Sequence, residues 1–382
     1  MENGPSMNSE PLKFFLIAGE PSGDLHGGKL IHAIKNIYPN SVFMGHGGIA
    51  MKEAGMQILE HTDNLAIMGF VEVIKHLPRM MKIMGKTIDT ISRTKPDRII
   101  LIDYPGFNLR LAKRIQHLKI PITYFILPQV WAWKEKRVEI MKEVLDQTLS
   151  IFPFEQNWFE SRGLHTNYVG HPFAEQEHLD ESSKDFYQRH NITIEHPLLV
   201  LLPGSRQQEV NRHWSIFLKT VKKLKESNSL LQVMVGKAPN VRLSTIPDDF
   251  KVEENARKAM VAGTVAIVSS GTATLECAVE DTPMVVCYKL SAISWLMANN
   301  MTSVKYASMV NLIADENVVP EFLQHNMSVE NLVNSVMPLL NAKSIERKIM
   351  LSGFDRVRRT LGMPGVYNRA AESIISRTNI EA

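Results

Sequence analysis

A run of aliphatic residues that stops at a glycine turn is the feature that most constrains the fold. Leu198–Leu202 holds five consecutive aliphatic residues, enough for one buried strand and too few for a helix. Such a run is typical of a central parallel strand, because both of its faces are covered. Pro203 and Gly204 end the strand, and a polar segment that can form a helix begins at Gln207. The sequence therefore predicts a strand, a tight turn and a helix in succession.

The same turn is a candidate anion site. A helix start offers free backbone N–H groups and the positive end of the helix dipole. Gly204 and Ser205 would form the turn, and the guanidinium of Arg206 can bind a phosphate through two parallel hydrogen bonds. Turns of this kind occur throughout α/β proteins, so the motif alone also fits a purely structural turn.

A second turn of this type follows a predicted strand at 265–268. Its residues are small or bear a hydroxyl: Ser270, Gly271, Thr272 and Ala273. Residues of this kind leave backbone N–H groups accessible to a phosphate. Glu276 follows just over one turn into the predicted helix, where a carboxylate can accept hydrogen bonds from both hydroxyls of a ribose. Alternatively, Glu276 only complements the positive helix end.

Carboxylates follow two predicted strands of the first half. The strand at 13–18 runs into Glu20, Ser22 and Asp24, and the strand at 98–102 ends at Asp103. Open α/β sheets bind ligands at the carboxyl ends of their strands, so these acids are candidate site residues. The alternative is structural: Ser22 or Asp24 would cap the next helix, and Asp103 would form a turn.

Strands and helices alternate along the chain, which predicts an α/β fold with two doubly wound parallel domains. A length of 382 residues agrees with two domains. The expected division is a first domain at 13–172, a polar linker at 173–196, a second domain at 197–345 and C-terminal helices at 346–382. Further strands are predicted at 41–44, 122–127, 147–152, 167–170, 232–235 and 283–287, and helices at 25–37, 328–340, 344–358 and 366–375.

Composition excludes several classes of protein. A formal net charge of +3 gives no support for nucleic-acid binding. Cys277 and Cys287 do not form a disulfide framework, which agrees with a reducing cytosol. Residues 1–11 lack the apolar core of a signal peptide, and no apolar run is long enough to span a bilayer. We therefore expect a cytoplasmic protein, which could still bind a membrane surface.

Two further stretches have more than one interpretation. Trp131 and Trp133 lie in a predicted loop, where they could stack on a sugar or form a packed corner. The segment 67–86 combines an apolar face with a basic stripe, and its periodicity alone favours an ordinary core helix. Its candidate acceptor or membrane residues are Ile67, Met68, Phe70, Ile74, Lys75, Leu77, Arg79, Met81 and Lys82.

Five motifs together resemble the lipid-A-disaccharide synthase family, and they occur in that family's order. They are AGEPSGD at 18–24, PQVWAW at 128–133, VGHP at 169–172, LPGSR at 202–206 and SGTATLE at 270–276. The resemblance implies two Rossmann-like domains that face each other across a cleft, the GT-B type, with the last helix crossing back to the first domain. It implies transfer of 2,3-diacylglucosamine from UDP to 2,3-diacylglucosamine 1-phosphate at the cytoplasmic membrane face, without metal or cofactor.

The resemblance also implies residue roles. Asp103 matches the family's strand-end acid and would be the general base, with Glu20 as the second choice. Arg206 and the helix start at 270–273 would stabilise the departing diphosphate, and Glu276 would hold the ribose. Asn311 matches a family asparagine, although Val310 stands where the family usually has proline. Because both substrates carry acyl chains, the segment 67–86 would contact the membrane interface or those chains.

Two other functions fit parts of the pattern. A UDP-N-acetylglucosamine 2-epimerase-like isomerase would use the same fold without a lipid acceptor. A non-catalytic nucleotide-binding module would bind UDP saturably without turnover. The sequence leaves a homodimer open and gives no sign of a nucleic-acid partner.

Overall fold

A computed structural model describes residues 10–65, 70–175, 179, 181–239, 241–290 and 305–378, with the backbone alone at 70–77. The chain divides into two compact units. The first unit combines Met1–Pro172 with Pro364–Ala382, and the second is Phe173–Met363.

The first unit is built on a seven-stranded parallel sheet in the order β3-β2-β1-β4-β5-β6-β7. The two central strands, β1 and β4, are almost entirely buried, as their continuous aliphatic sequences predict. The strands are β1 (Lys13–Ala18), β2 (Val42–Gly47), β3 (Gln57–His61), β4 (Arg98–Ile102), β5 (Ile122–Phe125), β6 (Gln147–Ser150) and β7 (Asn167–Tyr168).

Helices connect these strands, which parallel pairing requires. They are α1 (Pro21–Ile37), α2 (Ile49–Glu53), α3 (Thr62–Leu65), α4 (Phe70–Thr94), α5 (Pro105–Ile115), α6 (Arg137–Val144) and α7 (Glu155–Glu160), with short 3-10 turns at Gln116–Leu118 and Pro172–Ala174.

The second unit repeats this plan with a six-stranded parallel sheet in the order β10-β9-β8-β11-β12-β13. Its strands are β8 (Leu198–Leu202), β9 (Gln232–Gly236), β10 (Lys251–Glu253), β11 (Val265–Ser269), β12 (Met284–Tyr288) and β13 (Glu321–Leu323). Its helices are α8 (Ser183–Arg189), α9 (Gln207–Ser227), α10 (Ala256–Ala262), α11 (Thr272–Val279), α12 (Met309–Ala314), α13 (Val329–Leu339) and α14 (Ile345–Thr360), with a 3-10 turn at Gln324–Asn326.

The last helix, α15 (Val366–Ser376), belongs to the first unit and packs on α1. The buried Arg98 of β4 donates hydrogen bonds to the carbonyl of Arg377 and, at 3.0 Å, to the hydroxyl of Thr378. Gln147 donates to the carbonyl of Ser373 at 2.8 Å. These bonds hold the end of the chain against the sheet.

The polar segment 173–196 contains α8 and groups with the second unit. Glu253 of β10 holds α8 in place by accepting hydrogen bonds from Arg189 at 2.8 Å and from His190 at 2.9 Å. The predicted fold class, two doubly wound α/β domains, is confirmed by the two sheets. Within the described residues, no helix has both the length and the apolar character that crossing a membrane requires.

Candidate functional site

Each sheet has one point at which the strand order reverses direction. In the first unit this point lies between β1 and β4, where Ala18 pairs with Ile102. In the second it lies between β8 and β11, where Leu202 pairs with Val268. Ligands of open α/β sheets bind outside the carboxyl ends of the strands at such points. The strand order therefore places one candidate site in each unit.

The second unit has a cavity of about 520 Å³ at this point. It is lined by both predicted phosphate turns, and so brings together most of the predicted nucleotide residues: Gly204, Ser205, Arg206, Ser270, Gly271, Thr272 and Ala273.

Two helices begin at this cavity, α9 directly after Arg206 and α11 at Thr272, and within the described part of the chain no side chain caps either start. Gly204 has a φ of +123°, which side-chain-bearing residues rarely adopt, and a Cβ there would lie 2.7 Å from Oε2 of Glu209. The glycine is thus required to bring the β8 turn close to α9. The cavity consequently receives the positive ends of two helix dipoles.

The cavity is also lined by three side chains that the sequence did not single out: Ser269, Glu209 and Tyr288. The hydroxyl of Ser269 is buried and finds no hydrogen-bond partner among the residues that the structure describes. A buried unsatisfied hydroxyl is costly unless a ligand or water completes it. Tyr288 donates to Oε1 of Glu209 at 3.3 Å. Arg206 is exposed, and its Nη1 lies 3.7 Å from the same oxygen. A serine that ends an otherwise aliphatic strand was the available signal for Ser269.

Two predicted nucleotide residues are not among the residues that line the cavity. Glu276 is partly buried on α11; burial raises its pKa, Arg257 opposes this, and Glu280 adds to it. Asn311 is fully buried, and both the oxygen and the nitrogen of its side-chain amide are hydrogen-bonded within the protein. It accepts from the N–H groups of Val318 and Val319 at 2.8 and 2.9 Å, and donates to the Val319 carbonyl and to Glu321 at 2.9 and 2.8 Å.

In the first unit, Asp103 occupies a strained turn at the end of β4. Asp103 and Tyr104 have φ angles of +45° and +51°, which cost on the order of 1–3 kcal/mol each for residues other than glycine. The turn is held by the Asp103 carbonyl, which accepts from the Asn108 amide at 2.7 Å and from the Tyr124 hydroxyl at 2.5 Å. These bonds fix the backbone from which the Asp103 carboxylate projects.

Glu20 lies near Asp103 because of the neighbouring glycine. A Cβ at Gly19 would lie 2.3 Å from the Tyr104 ring, so this ring packs directly on the backbone before Glu20. Burial is the main reason that the pKa of Asp103 rises from 3.8 to about 6. The charge of Glu20 raises it further, and a hydrogen bond from the Tyr104 backbone opposes the rise.

Asp24, by contrast, has a structural role. Its carboxylate accepts from the N–H groups of Gly48, Ala50 and Met51 at 2.6, 3.0 and 3.1 Å, so it caps the start of α2. The alternative interpretation of Ser22 or Asp24 as the cap of their own helix is wrong, since α1 begins at Pro21 without a side-chain cap.

The two tryptophans of the loop after β5 have different environments. Trp131 is buried, donates to Oε1 of Glu155 at 2.9 Å and meets Phe154 edge to face at 5.0 Å. It forms a packed corner. Trp133 is 47% exposed, so of the two tryptophan rings only that of Trp133 is available to stack on a sugar.

The acceptor or membrane segment is described in part. Ile67 and Met68 lie outside the described residues, as do the side chains of Phe70, Ile74, Lys75 and Leu77. Arg79, Met81 and Lys82 are exposed on α4. Among the residues that the structure describes, no three side chains of His, Cys, Asp or Glu come together in a way that could hold a metal ion.

Residues 14–364 match the family model described as lipid-A-disaccharide synthetase. This chain belongs to the lipid-A-disaccharide synthetase family. The lipid-A-disaccharide synthase of Myxococcus xanthus (strain DK1622) is 34% identical over 375 residues, covering 96% of this chain and 98% of that protein. Lipid-A-disaccharide synthase 1 of Legionella pneumophila (strain Paris) is 36% identical over 323 residues, covering 81% and 83%. Family membership makes the chain a glycosyltransferase.

Solved structures show the same fold at low identity. The glycotransferase of kitacinnamycin has a TM-score of 0.64 at 12% identity, covering 97% of this chain and 100% of its own. A UDP-GlcNAc 2-epimerase from Neisseria meningitidis bound to UDP-GlcNAc has a TM-score of 0.63 at 11% identity, covering 96% and 99%. These likenesses confirm the GT-B type of fold. The match to the synthetase family model disfavours the alternative function, a UDP-N-acetylglucosamine 2-epimerase-like isomerase.

We expect Glu155, which accepts a hydrogen bond from Trp131, to make the first unit of this chain less stable as pH rises. Burial raises the pKa of Glu155 from 4.5 to about 8, although hydrogen bonds from Trp131 and two backbone N–H groups oppose the rise. The folded state therefore holds this proton more tightly than the unfolded state does. The free energy of unfolding should fall between about pH 4.5 and about pH 8, by at most about 1.4 kcal/mol per pH unit.

Glu155→Gln keeps a carbonyl acceptor for Trp131 and should flatten this dependence in urea titrations across the same pH window. Glu143→Gln, at an exposed position on α6, is the matched control and should behave as the wild type does. An unchanged pH slope in Glu155→Gln would show that Glu155 is not the titrating group.

Proposed function

We propose that the chain transfers 2,3-diacylglucosamine from UDP to the 6-hydroxyl of 2,3-diacylglucosamine 1-phosphate, with inversion, to form a β-1,6 disaccharide and UDP. Family membership assigns the chain to formation of the lipid A disaccharide. The observation that best supports a nucleotide-sugar donor is the cavity of the second unit, because two helix starts and Arg206 converge there.

The diphosphate of the donor would bind in this cavity. Negative charge develops on the departing diphosphate in the transition state, and fixed positive groups stabilise it most when they are already in place. Arg206 and the starts of α9 and α11 supply such groups. The unpartnered hydroxyl of Ser269 would donate a further hydrogen bond. Glu276 remains our candidate for the ribose.

Asn311 would support the cavity from behind, as a positioning residue. Its amide donates to Glu321, and that carboxylate accepts from the N–H groups of Ala307 and Ser308 at 2.8 and 2.9 Å. The Ala307 carbonyl in turn accepts from the hydroxyl of Ser270 at 2.6 Å. Asn311 would thus fix Ser270, which lines the cavity.

Asp103 would remove the proton from the acceptor hydroxyl. A pKa of about 6 leaves it ionised at neutral pH and makes it a stronger base than an ordinary aspartate. Glu20 would contribute by keeping this pKa high, and it is the second candidate for the base itself. This assigns the donor to the second unit and the acceptor to the first.

We expect Asp103→Asn to lower kcat by roughly 100-fold or more, because an amide cannot accept the proton. Its affinity for UDP should stay unchanged. In the wild type, kcat/KM should fall as pH drops below about 6, since the carboxylate becomes protonated there. Acceptor-dependent UDP release measured against pH tests both points, with Asp89→Asn on α4 as an exposed control. Near-normal turnover by Asp103→Asn would remove it from the mechanism.

Arg206→Ala should weaken UDP binding roughly 10- to 100-fold, the effect of losing a charge-assisted hydrogen bond worth about 1.5–3 kcal/mol. Calorimetry with UDP measures this directly. Lys222→Ala, exposed further along the same helix α9, should bind UDP as the wild type does. Equal affinity in the two variants would make Arg206 a structural residue only.

The segment 67–86 would hold the enzyme at the cytoplasmic face of the membrane, where its lipid substrates lie. The exposed side chains of Arg79, Met81 and Lys82 support this, because basic and apolar groups together favour an anionic interface.

Arg79→Glu combined with Lys82→Glu should reduce co-sedimentation with phosphatidylglycerol-containing vesicles and leave UDP affinity intact. Lys113→Glu combined with Arg114→Glu, on the exposed side of α5, makes the same change in net charge and is the control. If both double variants lose vesicle binding equally, net charge alone would explain the binding and the docking role of the segment would be excluded.

A further inference from the structure

Two basic side chains lie near the exposed ring of Trp133, and a third acts on both of them. The ammonium of Lys134 lies 4.3 Å from the ring centroid, and the guanidinium carbon of Arg137 lies 6.0 Å from it. Arg110 of α5 is close enough to act electrostatically on both. We call Arg110, Trp133, Lys134 and Arg137 the Trp133 cluster. Nothing in the mechanism above uses it.

The cluster is not neutralised by acidic neighbours. Across the described part of the chain, no Asp or Glu forms an ion pair with Arg110, Lys134 or Arg137. The two acids nearest in sequence are committed elsewhere: Glu135 pairs with Arg162 at 2.6 Å, and Glu139 pairs with Lys142 at 2.8 Å. Partial burial, and then the charges of Arg137 and Arg110, lower the pKa of Lys134. The cations therefore repel one another, and a bound anion would relieve this repulsion.

The position of Arg137 at a helix start also favours a bound anion. Arg137 is the first residue of α6, and none of the described side chains caps this helix start. A helix dipole disfavours a cation at this end and favours an anion. Lys134 precedes it in a turn with a φ of +64°. The N–H groups of Arg137 and Val138 already donate to the carbonyls of Lys134 and Glu135, so the helix contributes its dipole alone. The three cations supply the charged groups that can bind a phosphate.

The cluster lies at the same edge of the sheet as Asp103. The strands that precede the two features, β4 and β5, are paired neighbours, with Ile102 opposite Phe125. The Tyr124 hydroxyl donates to the Asp103 carbonyl at 2.5 Å, and the charges of both Asp103 and Arg137 act on that hydroxyl. A ligand held by the cluster would therefore lie beside the proposed general base.

We propose that the Trp133 cluster binds a phosphomonoester dianion, the 1-phosphate of the acceptor sugar. The assignment rests on the proposed function, which supplies an acceptor with such a group. C1 and C5 of a pyranose flank the ring oxygen and C6 is attached to C5, so a phosphate on C1 that is anchored at the cluster leaves the 6-hydroxyl free to lie towards Asp103. The exposed Trp133 ring offers an apolar face to the same sugar. The cluster would thus select phosphorylated acceptors and orient them.

Steady-state kinetics of the full-length enzyme test this with Lys134→Met and Arg137→Met. Each should raise KM for 2,3-diacylglucosamine 1-phosphate roughly 10- to 100-fold, while KM for the UDP-sugar donor and kcat at saturating acceptor stay near wild-type values. With 2,3-diacylglucosamine that lacks the phosphate, wild type and variants should have the same raised KM. Lys142→Met on the same helix α6 removes a paired lysine and should leave KM for both acceptors unchanged.

A binding measurement separates this inference from the proposed function. In ³¹P NMR titrations with glucosamine 1-phosphate, wild type and Lys142→Met should bind the phosphate and Arg137→Met should bind it at least 10-fold more weakly. If the wild type binds glucosamine 1-phosphate in this way but releases no UDP, the site stands and the proposed function falls.

Two outcomes would overturn the site itself. One is an unchanged KM for the phosphorylated acceptor in both Lys134→Met and Arg137→Met. The other is a loss of binding to phosphatidylglycerol vesicles in these variants with unchanged acceptor kinetics, which would assign the cluster to the phosphates of lipid headgroups.

Discussion

The parallel pairing of β8 with β11, and of β1 with β4, is the constraint on which both candidate sites depend. In each case the chain leaves a central strand, builds one side of the sheet and returns to the other side of that strand. Two loops that are distant in sequence are thereby forced to diverge from adjacent strand ends. The space between the diverging loops is open to a ligand in any sequence with this strand order. The residues at the strand ends then decide which ligand binds.

The two units place opposite charge at these equivalent positions. In the second unit, helix starts and Arg206 make the cavity favourable for a diphosphate. In the first, Glu20 and Asp103 lie together, and burial with mutual repulsion keeps the proton on Asp103 up to about pH 6. One fold thus provides an anion site in one unit and a base in the other. The difference arises from a few residues in the turns, because the sheets themselves are built alike.

The central strands β1, β4 and β8 could be predicted from the sequence to the residue, and β11 to within one residue. Arg98–Ile102 and Leu198–Leu202 are covered on both faces, so their aliphatic runs are uninterrupted. Of the four edge strands, β7 falls within the strand predicted at 167–170. The other three were missed, because they are partly exposed and mix polar with apolar residues: Gln57–His61, Lys251–Glu253 and Glu321–Leu323.

The site could be predicted where backbone turns build it, and less well where tertiary contacts do. The two phosphate turns were found because glycine and hydroxyl residues after a strand are visible in the sequence. Glu209 and Tyr288 were not, because the hydrogen bond between them joins α9 to β12. Asn311 was taken for a ligand contact by resemblance, and its amide is fully used by residues that follow it in the chain. Sequence patterns report the turn and not the packing behind it.

The most direct test of the proposed sugar transfer is to measure UDP release from UDP-2,3-diacylglucosamine with and without 2,3-diacylglucosamine 1-phosphate. The product is analysed by NMR. If the chain catalyses this transfer, UDP is released only with the acceptor present, in equal amount to a disaccharide joined by a β-1,6 linkage. UDP release that does not depend on the acceptor, or conversion of UDP-N-acetylglucosamine to its 2-epimer, would contradict it.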